Sequence, residues 1–225
     1  MARTKFAVLI SGRGSNLQSL LDATADENFP AEIALVISNR PSAYGLERAE
    51  AANVPTKVID HQFFGTKENK YADGREEFDK SLHEALTDAG VSYVCLAGFM
   101  RLLTKDFVAQ WRGRMLNIHP SLLPAFKGLN VHDRMIAAGV KIAGCTVHFV
   151  TTEMDAGPII GQAATPVLPN DDAQSLADRI LREEHKLYPA CVKLLAEGKA
   201  RLTTGGVVKL DADVCDDFSI RNPNI

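Results

Sequence analysis

The chain has 225 residues, of which 46% are apolar and 24% charged, with a formal net charge of −3. That length suits one large α/β domain, or a domain with a small appendage. The weakly acidic balance leaves no footprint for nucleic acid, although local basic sites for small anions stay open. No apolar run is long enough to span a bilayer, and the apolar stretch near the N-terminus is too short for a signal peptide. Four cysteines (Cys95, Cys145, Cys191, Cys215) lie far apart without a C-x-x-C. Three of them sit in apolar contexts, so buried thiols in a reducing cytoplasm are expected rather than a disulfide framework. The six histidines form no H-E-x-x-H and no Cys/His cluster, so no metal is expected.

Phe6 to Ile10 is a continuous apolar run and predicts a buried parallel strand. G-R-G-S-N-L-Q-S-L-L follows from Gly12, with Leu17, Leu20 and Leu21 at helical spacing. Strand, glycine turn and helix N-terminus then aim backbone N–H groups and a positive dipole end at one point. A phosphate is the natural ligand, with Ser15 and Asn16 adding donors; the alternative is that these two residues merely cap the helix. The run is neither G-x-G-x-x-G nor a Walker A loop.

A second strand is expected at Ile33 to Ile37, a helix at Ser42 to Ala52 and a third strand at Thr56 to Ile59. A polar, aromatic stretch around His61 leads to a charged amphipathic helix from Lys70 to Ala89, with Phe78, Leu82, Ala85 and Leu86 on one face. Arg75 near its start reads by itself as a solvated charge. Val91 to Ala97 is the expected fourth strand. It exits into Gly98-Phe99-Met100-Arg101-Leu102-Leu103 at the carboxyl edge of the sheet, where open parallel sheets bind ligands. Free backbone groups there suit a flat ring; ordinary core is the competing reading.

Thr104 to Trp111 predicts a short helix and Met115 to His119 a fifth strand, running out into N-I-H-P-S-L-L-P. Asn117 and His119 leave the same face of a strand, and Pro120 keeps His119 out of the helical region. A donor amide beside a titratable ring can hold an oxyanion and move a proton. The segment from Pro124 to Gly139, with a helix at Val131 to Ala138, is a candidate lid.

Gly144 to Val150 alternates like a strand and leads through T-T-E-M-D-A-G-P to a further strand from Ile159. Asp155 there is either a turn former or a carboxylate returned to the side of His119. Asp172 to Ala196 reads as a long helix with Glu184 and His185 on a solvated face. A hairpin turning at Gly205-Gly206 and a polar tail from Asp211 complete the chain. The expected architecture is three-layer α/β, a mostly parallel sheet with helices on both faces. Residues 1–210 form a single domain, with the hairpin at about 200–210.

G-R-G-S-N-L-Q, L-A-G-F-M-R-L-L, N-I-H-P-S-L-L-P, G-C-T-V-H-F-V and D-A-G-P-I-I occur in that order. Together they resemble the phosphoribosylglycinamide formyltransferase family over roughly residues 6 to 200. The resemblance implies a Rossmann-like formyltransferase fold. It implies transfer of a formyl group from the co-substrate 10-formyltetrahydrofolate to glycinamide ribonucleotide, in cytoplasmic purine biosynthesis. It carries catalytic roles onto Asn117, His119 and Asp155, with Asp155 raising the His119 pKa. Gly14, Ser15 and Asn16 match the phosphate loop, and Glu184, with Glu183 and Arg182 beside it, the ribonucleotide site. Arg75, Met100, Arg101, Leu102, Leu103, Asn117 and the loop Thr151, Thr152, Glu153, Met154 and Asp155 match folate positions. The partners implied are these two small molecules, with no nucleic acid or membrane, and the protein is a monomer or homodimer. Competing readings are a methionyl-tRNA formyltransferase, a formyltetrahydrofolate deformylase, and a non-catalytic phosphometabolite-binding protein.

Overall fold

The computed structural model describes residues 2–64, 74–211 and 222. Seven strands form one sheet in the order β3-β2-β1-β4-β5-β6-β7, and a separate pair forms a hairpin. By compactness the chain divides into two units, Met1–Asn117 and Ile118–Ile225.

In the first unit β1 (Thr4–Ile10), β2 (Ala31–Ser38), β3 (Thr56–Val58) and β4 (Tyr93–Leu96) run parallel, and β5 (Met115–His119) begins. Phe6 to Ile10 are all fully buried, as an apolar run without alternation requires. The chain leaves β1 for β2 and β3 on one side and returns to β4 on the other. The loops after β1 and β4 therefore diverge and open a crevice at their carboxyl ends. Helices α1 (Ser15–Thr24) and α2 (Gly45–Ala51) pack on each other and on β2. α3 (Arg75–Asp88) and α4 (Lys105–Gln110) complete the unit, with Thr104 capping α4 by accepting the Phe107 N–H. The expected start of α3 at Lys70 lies outside the described residues.

In the second unit β6 (Ile142–Phe149) and β7 (Ile159–Pro166) are antiparallel. α5 (Val131–Ala137) and α6 (Ala173–Ala196) bury Val131, Met135, Leu176 and Ile180 with Ala143 and Cys145 of β6. The hairpin pairs β8 (Ala200–Leu202) with β9 (Val208–Leu210). Of the tail after Asp211 only Asn222 is among the described residues.

The start of α6 is doubly fixed. Asp172 and Ser175 form a capping box. Asp171 accepts from the Leu168 N–H at 2.7 Å and from Arg179, whose Nη2 donates to Oδ1 at 2.8 Å. Arg179 is the main cause holding the Asp171 carboxyl well below the usual carboxylate range. A depressed folded-state pKa means stability present above the unfolded value of about 4 and lost as pH falls through the folded one. Asp171→Asn is therefore expected to lower the melting temperature at pH 7 by roughly 3 °C. The gap to wild type should close as the pH drops below that unfolded value. Melting curves from pH 7 to pH 2.5 check this, and a gap independent of pH would contradict the assignment.

Candidate active site

The first unit carries a pocket of about 340 Å³ in the crevice after β1 and β4, lined by Ser11 to Asn16, Arg40, Ala97, Gly98 and Met100. Gly14 is the N-cap of α1, in the left-handed region at φ 69°, and no side chain caps the helix. The capping role open to Ser15 and Asn16 is thus not what they do; both lie inside the helix and line the pocket. Glycine is required at position 14 for a second reason. A Cβ there would lie 2.8 Å from the Gly45 Cα. A Cβ on Gly45 would in turn lie 2.5 Å from Ile10 Cδ1. The Gly45 N–H donates to Gly12 O at 3.0 Å, tying the start of α2 to the loop. Arg13 and Arg40 add positive charge to a pocket already facing a helix N-terminus, an arrangement suited to a phosphate.

The segment after β4 is anchored to the same place. Buried Ser11 accepts the Met100 N–H at 2.8 Å and donates its hydroxyl to Asn39 Oδ1 at 2.6 Å. The Met100 N–H is therefore engaged, which corrects the expectation of free backbone groups at that residue. The Met100 and Leu102 side chains are 67% and 61% exposed, so they are not core. Leu103 is half-buried, and Arg101 is half-buried over the Phe78 ring, 4.5 Å from its centroid. Arg75 is half-buried rather than solvated, and Asp79, on which its charge acts, lies one helical turn on.

In the second unit His119 ends β5 at 6% exposure. Its Nδ1 lies 3.5 Å from Asp155 Oδ2, and its Nε2–H donates to Phe126 O at 2.9 Å. Asp155 is held by the Gly128 N–H, which donates to Oδ2 at 2.8 Å. Its other oxygen lies 3.8 Å from His148 Nε2. The carboxylate thus stands between two imidazoles. Burial pushes the His148 pKa down, against the Phe149 carbonyl that its Nδ1–H meets at 2.9 Å. Asp155 itself has φ 49°, a left-handed turn position that aspartate tolerates. So it is both the turn former and the carboxylate beside His119; the two readings were not exclusive.

The rest of the N-I-H-P-S-L-L-P segment is pinned by strand side chains. Thr146 Oγ1 donates to Ser121 O at 2.7 Å and accepts the Leu123 N–H at 3.0 Å, while Gln162 donates to Leu123 O at 2.9 Å. Asn117 is half-buried, two residues before His119 on β5. In the loop after β6, Thr151 and Asp155 are half-buried, and Thr152, Glu153 and Met154 are exposed. Glu153 pairs with Lys127 at 3.1 Å.

Glu184 corrects the expected solvated face, for it is 6% exposed. It falls on the buried stripe of Ile180, Tyr188 and Cys191, which helical spacing of three and four places on one side. Its charge adds to burial in pushing the Cys145 thiol up to about 12. Arg182 is exposed and Glu183 half-buried on other faces, the latter paired with Lys186 at 2.9 Å. Among the described residues no group of three or more His, Cys, Asp or Glu is arranged to hold a metal ion. No helix there is long and apolar enough to cross a membrane. The residues that sequence reasoning passed over are Ser11, Asn39, Arg40, Asp79 and His148. Only Asp79 carried a local signal, its i+4 spacing from Arg75.

Residues 4–192 match the family model described as formyl transferase. Phosphoribosylglycinamide formyltransferase of Haemophilus influenzae is 42% identical over 198 residues, covering 88% of this chain and 90% of its own length. The human trifunctional purine biosynthetic protein adenosine-3 is 46% identical over 206 residues. That alignment covers 92% of this chain, which spans about 20% of the trifunctional protein's length. Phosphoribosylglycinamide formyltransferase from Anaplasma phagocytophilum superposes with a TM-score of 0.83 at 45% identity, covering 94% of this chain and 96% of that one. The chain belongs to the formyl transferase family and, within it, to the phosphoribosylglycinamide formyltransferases.

Proposed function

We propose that the chain transfers the formyl group of 10-formyltetrahydrofolate to the amine of glycinamide ribonucleotide, giving formylglycinamide ribonucleotide and tetrahydrofolate. This is a cytoplasmic step of purine (IMP) biosynthesis. The observation that carries the reading is the pairing of His119 with Asp155, 3.5 Å apart, in a chain 42% identical to a phosphoribosylglycinamide formyltransferase over 90% of that enzyme's length. The phosphate-suited pocket around Gly14, Ser15 and Asn16 supports the ribonucleotide as acceptor. The exposed apolar side chains of Met100 and Leu102 support a flat folate ring as donor. Residues 1–210 work as one catalytic domain, a reading supported by a family match that runs through both compact units.

The residues suggest the following chemistry. The amine lone pair attacks the formyl carbon, and the carbonyl electrons move onto oxygen. The Asn117 amide and a protonated His119 donate to that oxyanion; one such donor is worth about 3 kcal/mol. The Asp155 carboxylate, 3.5 Å from Nδ1, orients the ring and supplies its counter-charge. Collapse breaks the bond between the formyl carbon and the folate nitrogen. That nitrogen takes up the proton released by the amine, directly or through water. Carbon, charge and protons balance without a covalent enzyme intermediate. Glu184, with Glu183 and Arg182 near it in sequence, is assigned to the ribonucleotide. Arg75, Arg101, Leu103 and the 151–155 loop are assigned to the folate.

The test is formyl transfer itself, followed by absorbance of the folate product with and without glycinamide ribonucleotide. Product is expected only when both substrates are present. Product without the ribonucleotide would indicate deformylase chemistry, and no product at all a different acceptor or a binding protein.

A further inference from the structure

Asp79 of α3 is a buried carboxylate, 3% exposed, and the proposed chemistry does not use it. Its Oδ2 accepts the Thr104 N–H at 2.6 Å. Its Oδ1 is buried and has no hydrogen-bond partner among the described residues. Arg101 shows the complementary feature: its Nε is also buried with no such partner. The charges of Arg101 and Arg75 both act on Asp79. Arg75 and Arg101 also repel each other, and Asp79 offsets that repulsion. Successive residues of α3 therefore serve one guanidinium, Phe78 as the face beneath it and Asp79 as its counter-charge.

A carboxylate with half its lone pairs unused is an expensive way to hold a helix against a loop. Apolar side chains in place of both Asp79 and Arg101 would do so at lower cost. What Asp79 alone supplies is a fixed acceptor and a fixed negative charge at the far end of the 100–104 segment. The near end is already fixed by Ser11 on the Met100 N–H. Between the two anchors, Met100 and Leu102 project into solvent. A segment clamped at both ends and exposed between them is a preorganised platform.

We propose that Asp79 is a positioning residue for the folate: it holds the Thr104 end of the 100–104 segment, and sets its charge against that of Arg101, in the arrangement that receives 10-formyltetrahydrofolate. This rests on the folate reading above. It predicts a selective effect on one substrate, which a purely structural role would not give. In Asp79→Asn the KM for 10-formyltetrahydrofolate is expected to rise roughly tenfold or more, the loss of one charge-assisted contact. The KM for glycinamide ribonucleotide should stay within about twofold, because the Met100 end that lines the phosphate-suited pocket keeps its own anchor on Ser11. Asp79→Leu keeps the volume but leaves the Thr104 N–H without its acceptor and Arg101 without its counter-charge, so it is expected to melt below wild type, remain folded at the assay temperature and keep the raised folate KM. Calorimetric titration of each substrate separately gives the same split without turnover. A folded Leu variant with wild-type folate affinity would overturn the proposal. So would an Asn variant in which both affinities weaken together. Wild-type protein that binds neither substrate would overturn the functional reading and this inference with it.

Discussion

Replacing His119 with alanine is expected to lower kcat for formyl transfer by about a thousandfold, with both KM values changed little. General acid–base groups contribute about 10²- to 10⁴-fold, and a single oxyanion donor about 10²- to 10³-fold. His119 is proposed to act as a donor that is positively charged at the moment of need. Both of its ring nitrogens face acceptors, the Phe126 carbonyl at 2.9 Å and the Asp155 carboxylate at 3.5 Å. An imidazolium is the ring form with an N–H for each, and the Nε2–H now on the Phe126 carbonyl is the one proposed to turn to the oxyanion when the substrates bind. Alanine removes the donor but not the frame around it: Asp155 keeps the Gly128 N–H, and Ser121 still donates to Ala125 O at 2.7 Å. The variant should therefore fold and bind substrates. Single-turnover rates with both substrates saturating isolate the chemical step. A variant within tenfold of wild type would mean that another group handles the oxyanion.

The second large effect lies away from the reacting atoms, at Gly157. Alanine at this position would put its Cβ 1.7 Å from the Phe149 carbonyl oxygen, well inside contact distance. The neighbour is backbone and cannot rotate away. The Phe149 N–H donates to Pro158 O at 2.9 Å, so the two segments are bonded where they would have to part. The same carbonyl accepts from His148, and Asp155 sits two residues upstream of Gly157. Relief of the clash must move one or both. We expect Gly157→Ala to destabilise the fold by about 3 kcal/mol, and to reduce turnover roughly a hundredfold in whatever fraction stays folded. Thermal melts and active-site-normalised rates measure the two separately. A melting temperature and a rate both equal to wild type would show that the turn has room that the present geometry denies.

Much of the fold was legible because short-range physics sets it. The strand Met115–His119 is legible with its observed bounds, since an apolar run of strand length meets Pro120, which cannot continue the ladder. The start of α6 was equally plain, because Asp172 is a capping residue followed at the right distance by Ser175. What misled was local reasoning applied to a non-local choice. Ser15 and Asn16 are good caps by type, but the left-handed turn at Gly14 moved the boundary one residue earlier. Glu184 reads as solvated by charge, yet its place on the Ile180 and Tyr188 stripe buries it. The approach of Asp155 to His119 joins residues 36 positions apart, and nothing in either local stretch encodes that distance. The same holds for His148, whose place in the strand says nothing of its neighbours. Its meaning comes from the turn that returns Asp155 to it.

The back-to-back glycines of the phosphate-suited loop limit how this sequence can drift. A Cβ on Gly14 would lie 2.8 Å from the Gly45 Cα, whereas a Cβ on Gly45 would meet Ile10 Cδ1, the tip of a side chain. Enlarging Gly14 cannot be rescued by shrinking its partner, because glycine is already the smallest. Position 14 is therefore closed to drift, while position 45 can be enlarged only together with a shorter residue at position 10. Arg13, one residue before Gly14, has an exposed side chain, and its backbone carbonyl is what accepts from Arg48 at 2.9 Å. Position 13 is therefore the open variable of the loop, free to retune the pocket's charge while its neighbours keep the backbone path.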